Sequence, residues 1–474
     1  MARLIRSLCA SLCAVVILIT VPSYTTARSP SSGGPGGGAD SQATDVYDVT
    51  RRYVTKFYPR WFTHQQQLIL VPNLLFGPDR MSPIFRSVVA PNDDTLYTSA
   101  LIGVRNEPAV LEIPDTMATY GVLITDVYGN IIKTDISTTS GGRYAFTGPG
   151  WSGTLPPELT EIPLPVTNPL MIIRSNRFSP DGENQIALAE EFRRSLRMGP
   201  LLAYERGVLA ETLIVPVSFW ARSFKLDADR MIRDNPLRFL RELQRGVMDI
   251  RTPPLTGDNR ALAEEFDRLF ATGRFEDEFA RATQDAQADI ISNYLNNTDR
   301  NNWINFRNIG FWGTNYLDRS SITEFCQYCN DIESSAYYDV FRDSDDQQLN
   351  AASGGYVLTF ERDQIPQARE FWSVTSYISE TITLHRNPED KYVVAGYTPG
   401  LETNEDGSIS IYATPTPPVG VSIANWLPVP DGPFSMMLRV YGPEGSVAEG
   451  TYVPPAVRKI NPSGRSGGGP RGKG

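Results

Sequence analysis

The run Asn92-Asp93-Asp94-Thr95-Leu96-Tyr97 gathers two carboxylates, an amide, a hydroxyl and a phenol within six positions. A carboxylate and a phenol held together can move a proton, provided burial tunes them toward the working pH. Asp94 and Tyr97 are therefore the candidate catalytic pair, with Asn92 and Thr95 as candidate ligand contacts. The structural alternative is that Asn92, Asp94 and Thr95 tie a loop to neighbouring amides ahead of a strand, as Asx and Thr residues commonly do. A second set lies late in the chain, where Trp372, Tyr377 and Trp426 could stack on sugar rings and Arg439 could meet a polar ligand. The same indoles could instead fill a core with their N–H groups hydrogen bonded.

Other chemistries are bounded by counting. His64 and His385 are the only imidazoles of the 474 residues, which excludes a zinc centre built from several histidines. His385, beside Arg386 and Asn387 in an expected loop, has no nucleophile near it in sequence. No phosphate loop, dinucleotide fingerprint, nucleophile elbow or calcium loop is present, so neither metal nor cofactor is expected. A net charge of −10 argues against a general nucleic-acid binder, which needs a basic face.

Arg3 and Arg6 precede an apolar run from Leu8 to Val21, and small residues lead to a cleavage point after Ala27. This is the order of a secretory signal peptide, too short to cross a bilayer as a helix, with an uncleaved signal anchor as the alternative. Its removal takes away Cys9 and Cys13 and leaves Cys326 and Cys329, spaced for a local disulfide in an oxidising compartment or, alternatively, for a redox-active pair. The expected location is extracellular, or periplasmic in a bacterium, with no transmembrane span after processing. Asn296 heads the sequon Asn296-Asn297-Thr298 and is a candidate glycosylation site.

The elements that must position these residues follow from punctuation and period. Short β-branched and aromatic runs at 109–113, 120–127, 131–135, 144–147 and 170–173, bounded by Gly, Pro, Asn and Asp, read as strands of a β-sandwich or barrel. A short outer helix is expected at 46–58. Leu188, Phe192 and Leu196 fall four apart and start a helical stretch. There Asp234-Asn235-Pro236 marks a helix start and Gly273 a stop. Strand signals return at 356–360, 371–378, 392–395, 408–413 and 434–440, read as a second sandwich of Greek-key or jelly-roll type. The expected division is a signal at 1–27, a flexible linker at 28–45, an N-terminal β domain at 46–180, a helical middle at 181–310, a C-terminal β domain at 311–460 and a basic Gly-rich tail at 461–474.

Ala90-Pro91-Asn92-Asp93-Asp94-Thr95-Leu96-Tyr97, followed by Ala109 to Asp115, resembles the signature of the family catalogued as domain of unknown function 1254. Phe371-Trp372-Ser373-Val374-Thr375, Asn404 to Tyr412, Asn425-Trp426-Leu427-Pro428 and Arg439-Val440-Tyr441-Gly442-Pro443 resemble its usual partner, domain of unknown function 1214. The resemblance implies a multidomain, mainly β, α+β chain: an immunoglobulin-like N-terminal sandwich, a helical middle and a jelly-roll-like C-terminal sandwich. It implies no reaction. Two departures stand out: Thr119 replaces the family's Arg before Tyr120, and the Cys326/Cys329 pair occupies what is usually a Gly/Asn-type loop.

Three classes fit these features. One is a secreted binding or surface-structural protein for polysaccharide or another cell-envelope component, with oligomers allowed. Another is a hydrolase or lyase with the Asp94/Tyr97 site between the two β domains. The third is a self-assembling, capsid-like or filament protein. The residue pattern leaves open whether the chain is an enzyme.

Overall fold

The computed structural model describes residues 37–179 and 181–460. The chain divides into two compact units, Met1–Gln42 and Ala43–Gly474, and all four sheets belong to the second. The expected signal peptide with Cys9 and Cys13, the linker up to residue 36 and the basic tail at 461–474 lie outside the described residues. Residues 37–45 of that linker are helical.

Helix α1 (Gly37–Ile69) is far longer than the outer helix expected at 46–58, and it is not peripheral. Tyr53, Phe57, Tyr58, Trp61 and Phe62 present apolar groups at three- and four-residue spacing on more than one face. They are buried with Phe224, Leu240, Phe266 and Ile290 of the helices α4 (Phe224–Asp234), α5 (Pro236–Val247), α6 (Gly257–Phe270) and α7 (Glu276–Leu295). The start expected at Asp234-Asn235-Pro236 is present: the Asn235 side chain accepts from the Arg238 amide, and Pro236 fills the first turn. Helices α2 (Ile186–Ser195) and α3 (Leu201–Glu205) precede this group.

Ten strands lie between α1 and α4: β1 (Phe76–Pro78), β2 (Thr95–Leu101), β3 (Ala109–Ile113), β4 (Tyr120–Thr125), β5 (Gly142–Thr147), β6 (Thr160–Pro163), β7 (Leu170–Asn176), β8 (Arg197–Pro200), β9 (Ala210–Glu211) and β10 (Leu213–Val215). They form two five-stranded sheets, ordered β10-β1-β2-β7-β4 and β6-β5-β3-β8-β9, whose apolar faces share one buried cluster including Ala100, Leu111, Phe146 and Ile173. The strand expected at 131–135 is absent. Gly129, with φ of 85°, makes the turn, but Ile131 reaches only an isolated bridge to Thr125 because its amide donates to the Gly310 carbonyl.

After α7 come β11 (Trp303–Ile304), α8 (Tyr316–Phe325), β12 (Ser335–Val340), β13 (Tyr356–Phe360), β14 (Ala368–Ile378), β15 (Val393–Ala395), β16 (Ile409–Thr414), β17 (Trp426–Pro428), β18 (Phe434–Pro443), α9 (Gly445–Glu449) and β19 (Arg458–Lys459). Sheets β11-β12-β18-β14-β15 and β17-β16-β13-β19 enclose a core of Trp303, Leu358, Trp372, Leu427 and Leu438. The described residues thus form a mixed α+β protein with nine helices, four sheets and no closed barrel. No described helix is long and apolar enough to cross a membrane.

Candidate functional site

Period-two alternation along β18 decides what the site can contain. Met436, Leu438 and Val440 enter the sandwich core, so Met437, Arg439 and Tyr441 point the other way, and that face is buried too. Arg439 stands opposite Tyr337 on β12 and Ser373 on β14. On the N-terminal side Tyr97 of β2 is paired with Arg174 of β7, whose guanidinium lies 5.4 Å from the Tyr97 ring centre.

The segment before β2 joins the two halves. Arg439 donates to the Ala90 carbonyl at 2.7 Å, and the Tyr377 hydroxyl donates to the Pro91 carbonyl at 2.8 Å. Asp94 is completely buried and accepts three hydroxyl hydrogen bonds, from Ser373 at 2.8 Å, Tyr397 at 2.5 Å and Tyr441 at 3.0 Å. Asn92 accepts from the amide and the hydroxyl of Thr95, so this pair closes the loop locally. Asp93 pairs with Arg177 at 2.6 Å, and burial pushes its carboxyl up to about 6 against the pull of that guanidinium.

Between the halves lies a cavity of about 50 Å³, room for roughly four water-sized groups. One wall is apolar, with Leu70, Phe85, Val88, Leu170 and Ile172; the polar lining includes Arg174 and Arg439, four tyrosines and the side chains of Gln66, Asn92, Ser99 and Gln327, without a carboxylate. Among the described residues, every hydrogen-bond partner of the two guanidiniums is neutral. Arg174 donates to the Asn330 side chain and the Tyr328 carbonyl, and Arg439 donates to Thr375 and the Ala90 carbonyl. Burial pulls Arg439 downward, but Tyr377, Tyr441 and Asp94 outweigh it and hold the group charged.

The cavity is also rich in hydrogen-bond donors. Tyr97 and Tyr337 each accept a backbone amide, from Asn92 and Asn330, which leaves each phenolic proton free for a ligand. The Trp220 indole N–H and the Gln327 amide nitrogen are buried with no partner that meets hydrogen-bond geometry among the described residues. Ala90 and Tyr328, both in the lining, hold left-handed backbone with φ of 49° and 61°. Such conformations cost about 1–2 kcal/mol for residues with a Cβ and gather at functional sites.

Of the residues singled out from sequence, Tyr97, Asn92 and Arg439 line this cavity. Asp94 and Thr95 are buried beside it and engaged structurally. Tyr377 is fully buried and bonded to Pro91. Trp372 and Trp426 are core residues, 5% and 2% exposed, with the Trp426 N–H donated to the Thr414 carbonyl, so neither offers a ring face to a sugar. That corrects the stacking role considered for them: Trp372 lies in the core between the two sheets, and Trp426, on the opposite side of its strand from the core residue Leu427, is buried with its N–H taken up. Cys326 and Cys329 form a disulfide just past the end of α8, enclosing Gln327 and Tyr328. Asn296 is exposed at the C-terminal end of α7. Sequence reasoning missed Arg174, Trp220, Gln327, Tyr328 and Tyr337. Arg174 did carry a signal, a charge ending the apolar run Leu170-Met171-Ile172-Ile173, and the others had none.

Two family models match the chain: protein of unknown function DUF1254 over residues 72–200 and protein of unknown function DUF1214 over 334–445. No curated protein matches the sequence. Among solved structures, the VPA0106 protein from Vibrio parahaemolyticus is similar in fold, with TM-score 0.56 and 17% identity over 88% of this chain and all of that one. A protein from Burkholderia cenocepacia matches at TM-score 0.41 and 13% identity, over 90% of this chain and 96% of that one. The β2 approach and Tyr97 fall in the first matched segment; Tyr337, Arg439 and Tyr441 fall in the second.

Proposed function

The chain belongs to the paired families of unknown function DUF1254 and DUF1214, and we propose that the pairing encloses a binding site for a small organic anion with an apolar body. The observation that carries this reading is a cavity with two arginines, free phenolic and indole protons and no carboxylate in its lining. A buried guanidinium is always charged and costs several kcal/mol unless an anion compensates it. Asp94 is the carboxylate acting on Arg439, a second one, Asp339, is held up to about 7 by burial, and neither lines the cavity, which leaves room there for a monoanion. A carboxylate suits the arrangement because it accepts several hydrogen bonds while its carbon chain meets Leu70, Phe85 and Ile172.

In this reading the protein is exported, with an immunoglobulin-like N-terminal half and a jelly-roll-like C-terminal half, and it acts as a binding protein. A small ligand replaces polysaccharide, since the indoles considered for sugar stacking are core residues. The hydrolase or lyase reading lacks a base at the cavity: Asp94 is saturated by three hydroxyls, and the lining contains no His, Asp or Glu.

The test is thermal denaturation and titration calorimetry of the chain against short aliphatic monocarboxylates, matched neutral amides and oligosaccharides. A carboxylate that raises Tm while its amide does not, with Trp220→Phe and Arg174→Gln each weakening binding by about tenfold or more, supports the reading. Equal response to acid and amide, or binding of glycans alone, overturns it.

A further inference from the structure

A second, smaller cavity lies on the far side of the Cys326–Cys329 loop, sharing Gln327, Tyr328 and Cys329 with the first. Its volume is about 20 Å³, enough for one water-sized or halide-sized group. Four of its lining residues carry buried polar atoms with no partner among the described residues: Thr125 Oγ1, Tyr128 Oη, Arg319 Nε and Gln327 Nε2. Each of these can donate a hydrogen bond, and two of them, the arginine and the amide nitrogen, can do nothing else.

The charge is as one-sided as the hydrogen bonding. Arg319 is 6% exposed; it donates to the Lys56 carbonyl and lies against the rings of Tyr128 and Tyr316, at 5.1 and 4.9 Å, so its contacts are all uncharged acceptors or π faces. Arg60, fully buried next to the lining residue Thr63, bonds only neutral groups among the described residues, the Thr63 hydroxyl and the Gln67 side chain. Two carboxylates act on this pair from a distance and both are engaged elsewhere. Asp126 is taken up by the Tyr128 and Asn130 amides and the Asn130 side chain, and Asp249 by Arg251 and His64. Burial lowers both guanidiniums, Arg60 to about 10, as expected where no anion offsets desolvation.

We propose that the cavity bounded by Thr125, Tyr128, Arg319 and Gln327 binds a single monoatomic anion, chloride in ordinary salt. A water molecule accepts two hydrogen bonds and must place two protons of its own. A water can meet all four groups by accepting from the two nitrogens and donating to the two hydroxyls, but it leaves the buried guanidinium charge unmet, whereas a halide accepts all four hydrogen bonds and neutralises that charge. The ion fastens α1 and α8, through Arg319, to the turn after β4 that carries Tyr128. It thereby braces the Gln327-Tyr328 wall of the larger cavity.

The experiment uses the full chain dialysed against gluconate. Crystals grown without chloride and soaked in bromide are expected to show an anomalous peak at hydrogen-bond distance from Arg319 Nε and Tyr128 Oη. In solution, Tm at constant ionic strength is expected to rise by roughly 2–4 °C on replacing gluconate with chloride. Tyr128→Phe removes one donor, does not touch the larger cavity, and is expected to abolish most of that rise. A bromide-soaked crystal with water alone at the site, or a Tm that is the same in both anions, overturns the proposal. So does a Tyr128→Phe protein that keeps the full chloride response.

Discussion

Removing Asp94 should destabilise the chain more than any other single change at the junction. Its two oxygens take three hydroxyl hydrogen bonds, all from the C-terminal half, and the residue is 0% exposed. A hydrogen bond to a charged group contributes about 1.5–3 kcal/mol, and a buried hydroxyl left without an acceptor costs about 1–3 kcal/mol. Tyr397→Phe, which deletes one donor, is therefore expected to cost about 1.5–3 kcal/mol. Asp94→Ala strands three hydroxyls and takes away a counter-charge of Arg439. Relief of the buried carboxylate's own desolvation offsets part of this, and about 4–6 kcal/mol remains. Against a typical domain stability of about 5–15 kcal/mol, that is close to unfolding. The assay is urea denaturation followed by tryptophan fluorescence and far-ultraviolet circular dichroism, with coincidence of the two as the check on a single transition. Tyr397→Phe and Tyr441→Phe share an acceptor, so the double variant should exceed the sum of the singles by about 0.5–1 kcal/mol. A cost below about 1 kcal/mol for Asp94→Ala, or strictly additive tyrosine variants, would refute the view that Asp94 ties the halves together.

Trp372→Ala and Trp426→Ala are each expected to cost about 3–5 kcal/mol in urea denaturation, and a stable, well-folded variant of either would contradict their place in the core. His385, 5% exposed with Nδ1 unpartnered among the described residues, is pushed down by burial to about 4. Its folded pKa lies below the unfolded 6.5, so its contribution is complete above pH 6.5 and is lost as pH falls through 4, roughly 3 kcal/mol in all. Asp93 and Asp339, raised by burial to about 6 and about 7, titrate in the opposite sense, so the difference between wild type and His385→Gln isolates the histidine. A His385→Gln protein with an unchanged slope between pH 6.5 and 4 would be inconsistent with this. Reducing the Cys326–Cys329 bond, which closes a loop of sequence separation 3, should cost about 2 kcal/mol by chain entropy. Comparing Tm of the Cys326→Ala/Cys329→Ala protein with wild type measures it.

Where a segment has one buried face, its period showed in the sequence. Phe360-Leu358-Tyr356 and Ile409-Ile411-Ala413 alternate because β13 and β16 turn one face to the core, and both strands lie close to where alternation places them. The Asn235-Pro236 start needed only local capping chemistry. Helix α1 was misjudged because a helix buried on several sides loses the single stripe by which amphipathic helices are recognised. The segment 131–135 has strand-like residues, but the Ile131 amide finds its partner at Gly310, far along the chain and beyond any local rule. Asn92 and Thr95 closing their own loop was legible from residue type; Asp94 reaching Ser373, Tyr397 and Tyr441 was not, because every partner is distant in sequence.

The cavity lining nevertheless left a mark that a general physical rule can read. β7 and β18 are internal strands buried on both faces, and such strands run almost wholly apolar. Each carries one arginine, Arg174 within Leu170-Met171-Ile172-Ile173-Arg174 and Arg439 within Met436-Met437-Leu438-Arg439-Val440. A guanidinium cannot shed its charge, so placing one in a doubly covered strand costs several kcal/mol unless anions or dense acceptors meet it. Surface exposure is closed to Arg439, at 1% exposed, and its fixed acceptors are two neutral oxygens. The buried charge of Arg439, met by the carboxylate of Asp94, and the half-buried Arg174 across the same cavity therefore point to a shared anion. They do so more specifically than the Asp-Asp-Thr-x-Tyr run, whose chemistry turned inward to hold the two halves together.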